Sequence, residues 1–281
     1  MRARRMIYMN NLTNEQLSEK AKELRKSIIT MVYHAGSGHP GGSLSAIDLM
    51  TVLFYNKMNH DSKNMQMRNR DRFILSKGHI TPALYAILAD LGYFEKSELN
   101  TLRKFGSILQ GHPDMQKTPG IEVSSGSLGQ GLSIAVGVSL GGIMDKIDYR
   151  VYCMMGDGET QEGQIWEAAM AAGHYKLDNL CGIIDVNRLQ IDGKVEDVMN
   201  VNPLADKWRA FNWNVIQIDG HKMFEIDNAF DEAKRFKGKP TVIIAQTIKG
   251  KGVSFMENNP GWHGKAPNTE QYNIAMDDLN K

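Results

Sequence analysis

The run Val151-Tyr152-Cys153-Met154-Met155 is apolar and β-prone, and it stops at a glycine, so it reads as a buried parallel strand. Gly156-Asp157-Gly158-Glu159-Thr160-Gln161-Glu162-Gly163 follows, and a helical pattern resumes at Ile165-Trp166-Glu167-Ala168. An acid between two glycines therefore sits where a strand hands over to a helix. In open α/β sheets that is where ligands bind. A second strand, Cys181-Gly182-Ile183-Ile184-Asp185, ends just before Asn187. The Asp157 carboxylate and the Asn187 amide oxygen can then meet at adjacent strand ends. Hard oxygens of this kind suit Mg²⁺, which takes few protein ligands and completes its shell with phosphates and water. A lone Gly-Asp-Gly also occurs in ordinary turns; the two preceding strands give it weight here.

The remaining chain extends the alternation. Thr13-Asn14-Glu15-Gln16 has capping-box form and predicts a helix to about residue 35, with Leu17, Ala21, Leu24, Ile28 and Met31 as its apolar stripe. Pro40 stops that helix, and Ser43 is placed to cap the next, residues 44–56. Strands are expected at 71–76, 151–155, 181–185, 213–219 and 241–247. Helices are expected at about 82–91, 96–105 (carrying Arg103), up to 144 after the Gly126 loop, from 204, and at 224–236. Strands alternating with helices predict a doubly wound, mainly parallel α/β sheet with helices on both faces, as one domain over residues 1–281. Residues 1–12 read as a loosely ordered extension.

Composition narrows the function. The net charge of +1 comes from scattered residues of both signs, which points to neither nucleic acid nor a membrane surface. The stretch 132–144 is too short and too rich in Gly and Ser to span a bilayer. Cys153 and Cys181 both fall in strands and read as core thiols, in keeping with a cytoplasmic protein. The basic start lacks the apolar segment of a secretory signal.

Histidines recur at the breaks between elements, in Ser37-Gly38-His39-Pro40-Gly41, Ser76-Lys77-Gly78-His79 and Gly111-His112-Pro113. Gly126-Ser127-Leu128-Gly129-Gln130-Gly131 has the wrong spacing for a dinucleotide fingerprint. It reads as a loop whose backbone touches a flat ring. Lys249 follows the last strand, and Trp262-His263-Gly264-Lys265 stands near the C-terminus.

This ordered set, with Gly156-Asp157-Gly158 and Asp185-Val186-Asn187, resembles the N-terminal, thiamine diphosphate-binding domain of transketolase over about residues 14–267. The resemblance implies that Asp157, Asn187 and the Leu189 main-chain oxygen hold Mg²⁺, with Ca²⁺ or Mn²⁺ as substitutes. It implies that His79, Gly156, Gly158, Lys249 and His263 meet the diphosphate end of the cofactor. The backbone of Gly126, Ser127 and Leu128 would touch the aminopyrimidine. His39, His112 and His263 would surround the hydroxyls and carbonyl of a ketose donor, Arg103 its phosphate, and Glu162 would join a carboxylate relay across a subunit interface. Lys249 and Arg103 also fit solvated surface charges, and Glu162 a favourable acid in a first helical turn.

In the resembled family the reaction belongs to the cofactor, and a glutamate on a second domain activates it. The expected protein is thus the N-terminal subunit of a split transketolase of the pentose phosphate pathway. Its partner would be a separate subunit carrying the pyrimidine-binding and C-terminal domains, in an α₂β₂ heterotetramer. Sugar phosphates would be its substrates, ordinary, branched or sulfonated. Three other readings stand beside it. The α subunit of a thiamine-dependent 2-oxo acid dehydrogenase lacks a use for the Gly-His-Pro and Trp-His-Gly-Lys motifs. A deoxyxylulose-phosphate-synthase-like enzyme normally keeps its domains on one chain. A non-catalytic partner-binding relic would not need the metal ligands.

Overall fold

The computed structural model describes residues 12–281, so the expected loose extension falls, for residues 1–11, outside the described part. The helices, in chain order, are α1 (Asn14–Ala35), α2 (Pro40–Val52), α3 (Thr81–Asp90), α4 (Gln130–Met144), α5 (Gly163–His174), α6 (Val195–Met199), α7 (Leu204–Ala210), α8 (Met223–Arg235) and α9 (Thr269–Asp278). The strands are β1 (Arg72–Leu75), β2 (Val151–Gly156), β3 (Leu180–Val186), β4 (Leu189–Gln190), β5 (Gly193–Lys194), β6 (Asn214–Asp219) and β7 (Thr241–Gln246). Five of them form a sheet among the described residues in the order β1-β2-β3-β7-β6, every neighbouring pair parallel. β4 and β5 make a small antiparallel hairpin around Ile191 and Asp192.

The three central strands β2, β3 and β7 are almost wholly apolar and buried on both faces, whereas the edge strand β6, with Asn214, Gln217 and Asp219, is only partly covered. Tyr152 and Met154 of β2 enter one core with α1, α2, α3, α8 and α9. Val151, Cys153 and Met155, with side chains pointing the other way, enter a second core with α4, α5 and α7. Cys153 and Cys181 are free, buried and on opposite faces, as expected of core thiols. Burial pushes both thiols up, Cys181 to about 12.

Topology fixes where a ligand can sit. The chain leaves β3 toward the face that buries Val195 and Leu204, and leaves β7 toward the face that buries Val253, Met256 and Trp262. Since β3 and β7 are neighbours, their connections part and open a crevice at their carboxyl ends. The register brings those ends level: Gly156 pairs with Asp185, and Asp185 with Ala245.

α1 begins as expected, with both halves of the capping box formed between Thr13 and Gln16. Three local expectations need correction. Ser43 does not cap α2; the helix begins at Pro40 in the first helical position, and the Ser43 hydroxyl donates back to His39 O at 2.7 Å. Residues 96–105 are not one helix: a 3₁₀ segment spans Lys96–Thr101, and Arg103 lies beyond it with φ +61°. The helix after Gly126 starts only at Gln130, behind Gly129 at φ +87°. Among the described residues no helix is long and apolar enough to cross a membrane.

Candidate functional site

A cleft of about 380 Å³ opens at the carboxyl ends of β1, β2, β3 and β7. Its wall contains His39, His79, His112, Gly126, Leu128, Gly156, Asp157, Gly158, Glu162, Asn187, Leu189, Lys249 and His263, and so gathers most of the residues singled out from sequence. The size suits a cofactor-sized ligand. Two expected residues stand outside that lining. Ser127 is exposed on the loop before α4, and Arg103 reaches in from the surface, with Nη2 3.4 Å from His39 Nδ1 and Nη1 3.4 Å from Ser37 Oγ. A wider groove of about 870 Å³ along the ends of β6 and β7 shares Asn187 and Leu189 with the cleft, but His39, His79, His112 and His263 are not in its lining.

Asp157 is 3 % exposed. Its oxygens accept from Gly158 N at 2.8 Å and from Arg188 N at 2.6 Å. The second bond needs the left-handed backbone of Arg188, φ +63°. Burial first, and then neighbouring Asp185, push this carboxyl up to about 6. Asn187 is held by its other end: Nδ2 donates to Asp185 Oδ2 at 3.2 Å and to Ser45 Oγ at 3.3 Å, while Oδ1 accepts from Leu189 N at 3.1 Å. Asp185 is itself fixed by Lys77 Nζ at 2.6 Å, by Ser45 Oγ at 2.6 Å and by Thr247 Oγ1. This buried pair and its hydroxyls orient the amide so that its oxygen stays free of them.

The residues fit a divalent cation. A buried carboxylate pushed toward its neutral form gains from a positive charge beside it. Asp157, Asn187 Oδ1 and Leu189 O are all hard oxygen donors, and carbonyl oxygens already accepting one bond keep a second lone pair. Leu189 O now accepts from Lys249 Nζ at 3.0 Å.

The histidines form a cluster. Ring centroids are 5.2 Å apart for His39 and His79, 5.6 Å for His39 and His263, and 5.2 Å for the stacked His79 and His263. Burial is the main cause of a downward shift in each. It takes His39 to about 4, helped by Arg103, and His263 to about 3, helped by Lys249. His79 falls well below the usual range, and His112 falls too. All four are therefore neutral near pH 7. Geometry agrees, because Arg103 and Lys249 can only donate, so His39 Nδ1 and His263 Nδ1 accept and the ring protons lie on Nε2. Lys249 is not a solvated surface charge. It is 1 % exposed, and burial, then Lys77, lower its ammonium to about 8.

A depressed histidine favours folding fully above its unfolded value and loses that contribution as pH falls through its folded value. For His39 the window runs from the usual 6.5 down to about 4. NMR titration should place its imidazole midpoint near 4, and Arg103→Leu should move it upward only part of the way, since burial remains. A midpoint near 6.5 in the unaltered chain would contradict the buried, Arg-facing geometry.

Glu162 is exposed at the start of α5, where it makes no side-chain cap. Besides Asp157, the loop buries a second acid, Glu159, which no sequence motif marks. It is 3 % exposed and accepts from Ser76 Oγ, from Gly129 N at 2.9 Å and from Gly156 N at 3.0 Å, tying together the ends of β1 and β2 and the start of α4. Lys77, Asp185, Ser45 and Thr247 were likewise unassigned. Their signal was position: Lys77 and Thr247 closely follow strands, and Asp185 lies near the end of one. Glycines let the loops meet: a Cβ on Gly78 would lie 3.0 Å from Gly126 N, and one on Gly41 2.8 Å from Trp262 O.

Comparison with known proteins places this geometry. Residues 17–277 match the family described as "Transketolase, thiamine diphosphate binding domain". An apulose-4-phosphate transketolase subunit from Phocaeicola vulgatus is 44 % identical over 267 residues, 95 % of each chain. The "6-deoxy-6-sulfo-D-fructose transketolase subunit SqwG" of Clostridium sp. is 46 % identical over 265 residues, 94 % of this chain and 96 % of that one. The crystal structure of transketolase from Campylobacter jejuni superposes with a TM-score of 0.88 at 35 % identity; it covers 94 % of this chain, which spans only 42 % of that one. With its sheet, its strand-end acid and amide and its histidine cluster, the chain belongs to the transketolase family, as that family's thiamine diphosphate-binding unit.

Proposed function

We propose that the chain is the diphosphate-holding subunit of a split transketolase. With a second subunit it moves a two-carbon ketol unit from a ketose phosphate to an aldose. The observation that carries this reading is the convergence of Asp157, Asn187, Leu189, His79, Lys249 and His263 on one cleft at the switch point of the sheet. Relatives of the same length that are called transketolase subunits support the division of labour. The partner would bring the pyrimidine-binding and C-terminal domains, in an α₂β₂ assembly. We take residues 1–281 as one domain acting in the cytoplasm, in pentose phosphate or related sugar metabolism.

Asp157, Asn187 Oδ1 and Leu189 O would hold Mg²⁺, which Ca²⁺ or Mn²⁺ could replace. The bound thiamine diphosphate supplies the nucleophile that breaks the ketose C2–C3 bond. The chain's own groups bind and orient. His79, the Gly156 and Gly158 backbone, Lys249 and His263 would hold the diphosphate, Lys249 as a cation already drawn out of water. The backbone of Gly126, Ser127 and Leu128 would meet the ring. His39 and His263, each with its proton on Nε2, can donate to a substrate oxygen, and neutral His112 completes the wall. A neutral imidazole can accept a hydroxyl proton as well as donate one. Arg103, above His39, would take the anionic end of the sugar, and Glu162 faces outward where a partner's carboxylates could meet it.

Relatives named for apulose 4-phosphate and for a sulfonated fructose make the anionic ketose itself the open variable. Assaying the assembled enzyme against apulose 4-phosphate, 6-deoxy-6-sulfofructose and a pentulose 5-phosphate tests this reading; no ketol transfer from any ketose would defeat it. His39→Ala and His112→Ala should keep cofactor affinity and lose turnover by on the order of 10²-fold or more. Near-normal turnover in both variants with every ketose would remove them from the reaction.

A further inference from the structure

Lys249 is buried, yet its ammonium is met by a backbone oxygen and an imidazole at hydrogen-bonding distance: Leu189 O at 3.0 Å and His263 Nδ1 at 2.7 Å. The four-carbon stem is flexible, so the place of the ammonium depends both on these partners and on the backbone from which the stem starts. That backbone is a turn pinned from several sides. Ile248 N donates to His221 Nε2 at 2.8 Å, Gly250 N donates to Gly41 O at 2.9 Å, and Lys251 O accepts from Arg25 Nε at 3.2 Å.

The His221 contact is the one that depends on a single side-chain atom in a single tautomer. Because Nε2 accepts from Ile248, the ring proton sits on Nδ1, which faces Asp48 Oδ2 at 2.7 Å. The same carboxylate oxygen accepts from Arg25 Nη2 at 2.6 Å. Asp48 is 3 % exposed; burial pushes its carboxyl up, but Arg25 and His221 more than offset that and hold it below the usual range. A chain of hydrogen bonds thus runs from Arg25 on α1, through Asp48 on α2, to His221 after β6, and ends on the amide next to Lys249.

We propose that His221 is a positioning residue of the diphosphate site: through Nε2 it holds the Ile248 amide, and with it the turn from which Lys249 enters the cleft. The proposal rests on the reading that Lys249 faces the cofactor's diphosphate. A purely structural His221 would instead matter as the partner of Asp48 and as a filler of its space.

Two substitutions separate these roles, because glutamine can reproduce Nε2 and asparagine Nδ1. His221→Gln keeps an acceptor for Ile248 N and gives up the bond to Asp48. His221→Asn keeps a donor for Asp48 and leaves Ile248 N without its acceptor. The full chain in each form is compared by amide hydrogen exchange over residues 247–252, and by trace acylation of Lys249 with isotope-labelled acetic anhydride. His221→Asn should speed exchange at Ile248 by on the order of tenfold, the effect of losing one such bond, and should raise Lys249 acylation. His221→Gln should stay within about twofold of the unaltered chain in both. Equal behaviour of the two variants, or greater disturbance by glutamine, overturns the proposal. If the asparagine variant does not fold, the glutamine variant alone decides, since loss of protection in it has the same consequence. A further arm adds thiamine diphosphate and Mg²⁺ to the chain with its partner. Cofactor should protect Lys249 from acylation. Absence of protection alongside the asparagine–glutamine split overturns the diphosphate role of Lys249, while the effect of His221 on the turn stands, so the two failures are distinct.

Discussion

Asp157→Ala is expected to abolish metal-dependent cofactor binding by the assembled enzyme. Of the three oxygens proposed for the cation, Asp157 alone carries charge. Its two backbone bonds, from Gly158 and Arg188, hold it at the mouth of β2 without neutralising it. Burial and Asp185 push it toward the neutral form, so a cation placed beside it recovers the cost of its ionisation. With alanine there, the cation would lose its one charged ligand, and the diphosphate would lose the cation that offsets its own charge beside Asp185. Losing outer partners alone weakens metal sites by about 10- to 100-fold, and loss of the charged ligand should exceed that range. Calorimetry of thiamine diphosphate binding with and without Mg²⁺ measures it, and a melting curve establishes that the variant is folded. Unchanged Mg²⁺-dependent affinity would sink the assignment of Asp157.

What sequence made legible here follows from period and position. The central strands of the sheet are readable because each is a short apolar run bounded by turn residues, the pattern that burial on both faces imposes on a parallel sheet, while edge strand β6 mixes Val and Ile with polar residues. The cleft was readable because strand ends in such a sheet are the ligand side, so Asp157, Asn187, His79 and Lys249 were marked by place as much as by type. What escaped notice were the contacts between distant segments. Asp185 looked like the last residue of a strand, and only the fold brings Lys77, Ser45 and Thr247 around it. Glu159 looked like one acid among several, yet its carboxylate joins loops far apart in sequence. The surroundings of Arg103 predict a helix, but its left-handed backbone and its reach to His39 override local propensity. α9 carries a start signal in the Asn268–Gln271 capping box, and the fold seats it by stacking Tyr272 on Tyr33 of α1 at 4.4 Å.

The chain purified free of any partner is expected to transfer no ketol unit, and addition of a transketolase subunit bearing the pyrimidine-binding domain is expected to restore transfer. The argument starts from the cleft. It presents groups for the diphosphate and for the sugar, but in this family the cofactor's ring is activated by a glutamate of another domain. The residues around the opening suit a covered rather than a solvated surface. Leu128 and Ile191 line the cleft and are 38 % and 70 % exposed, and Met199, whose carbonyl accepts from cleft residue Gln161, is 62 % exposed. Glu162 also faces outward beside them. An obligate interface over these groups should bury on the order of 2,000 Å² or more and be more apolar than a transient one. The experiment supplies thiamine diphosphate, Mg²⁺ and ketose phosphate to rigorously partner-free chain, then adds the second subunit. Mass measured by sedimentation tests the α₂β₂ assembly in the same samples. Robust transfer by the chain alone would refute the split-enzyme reading, because every group the reaction needs would then have to lie among the residues of this one cleft.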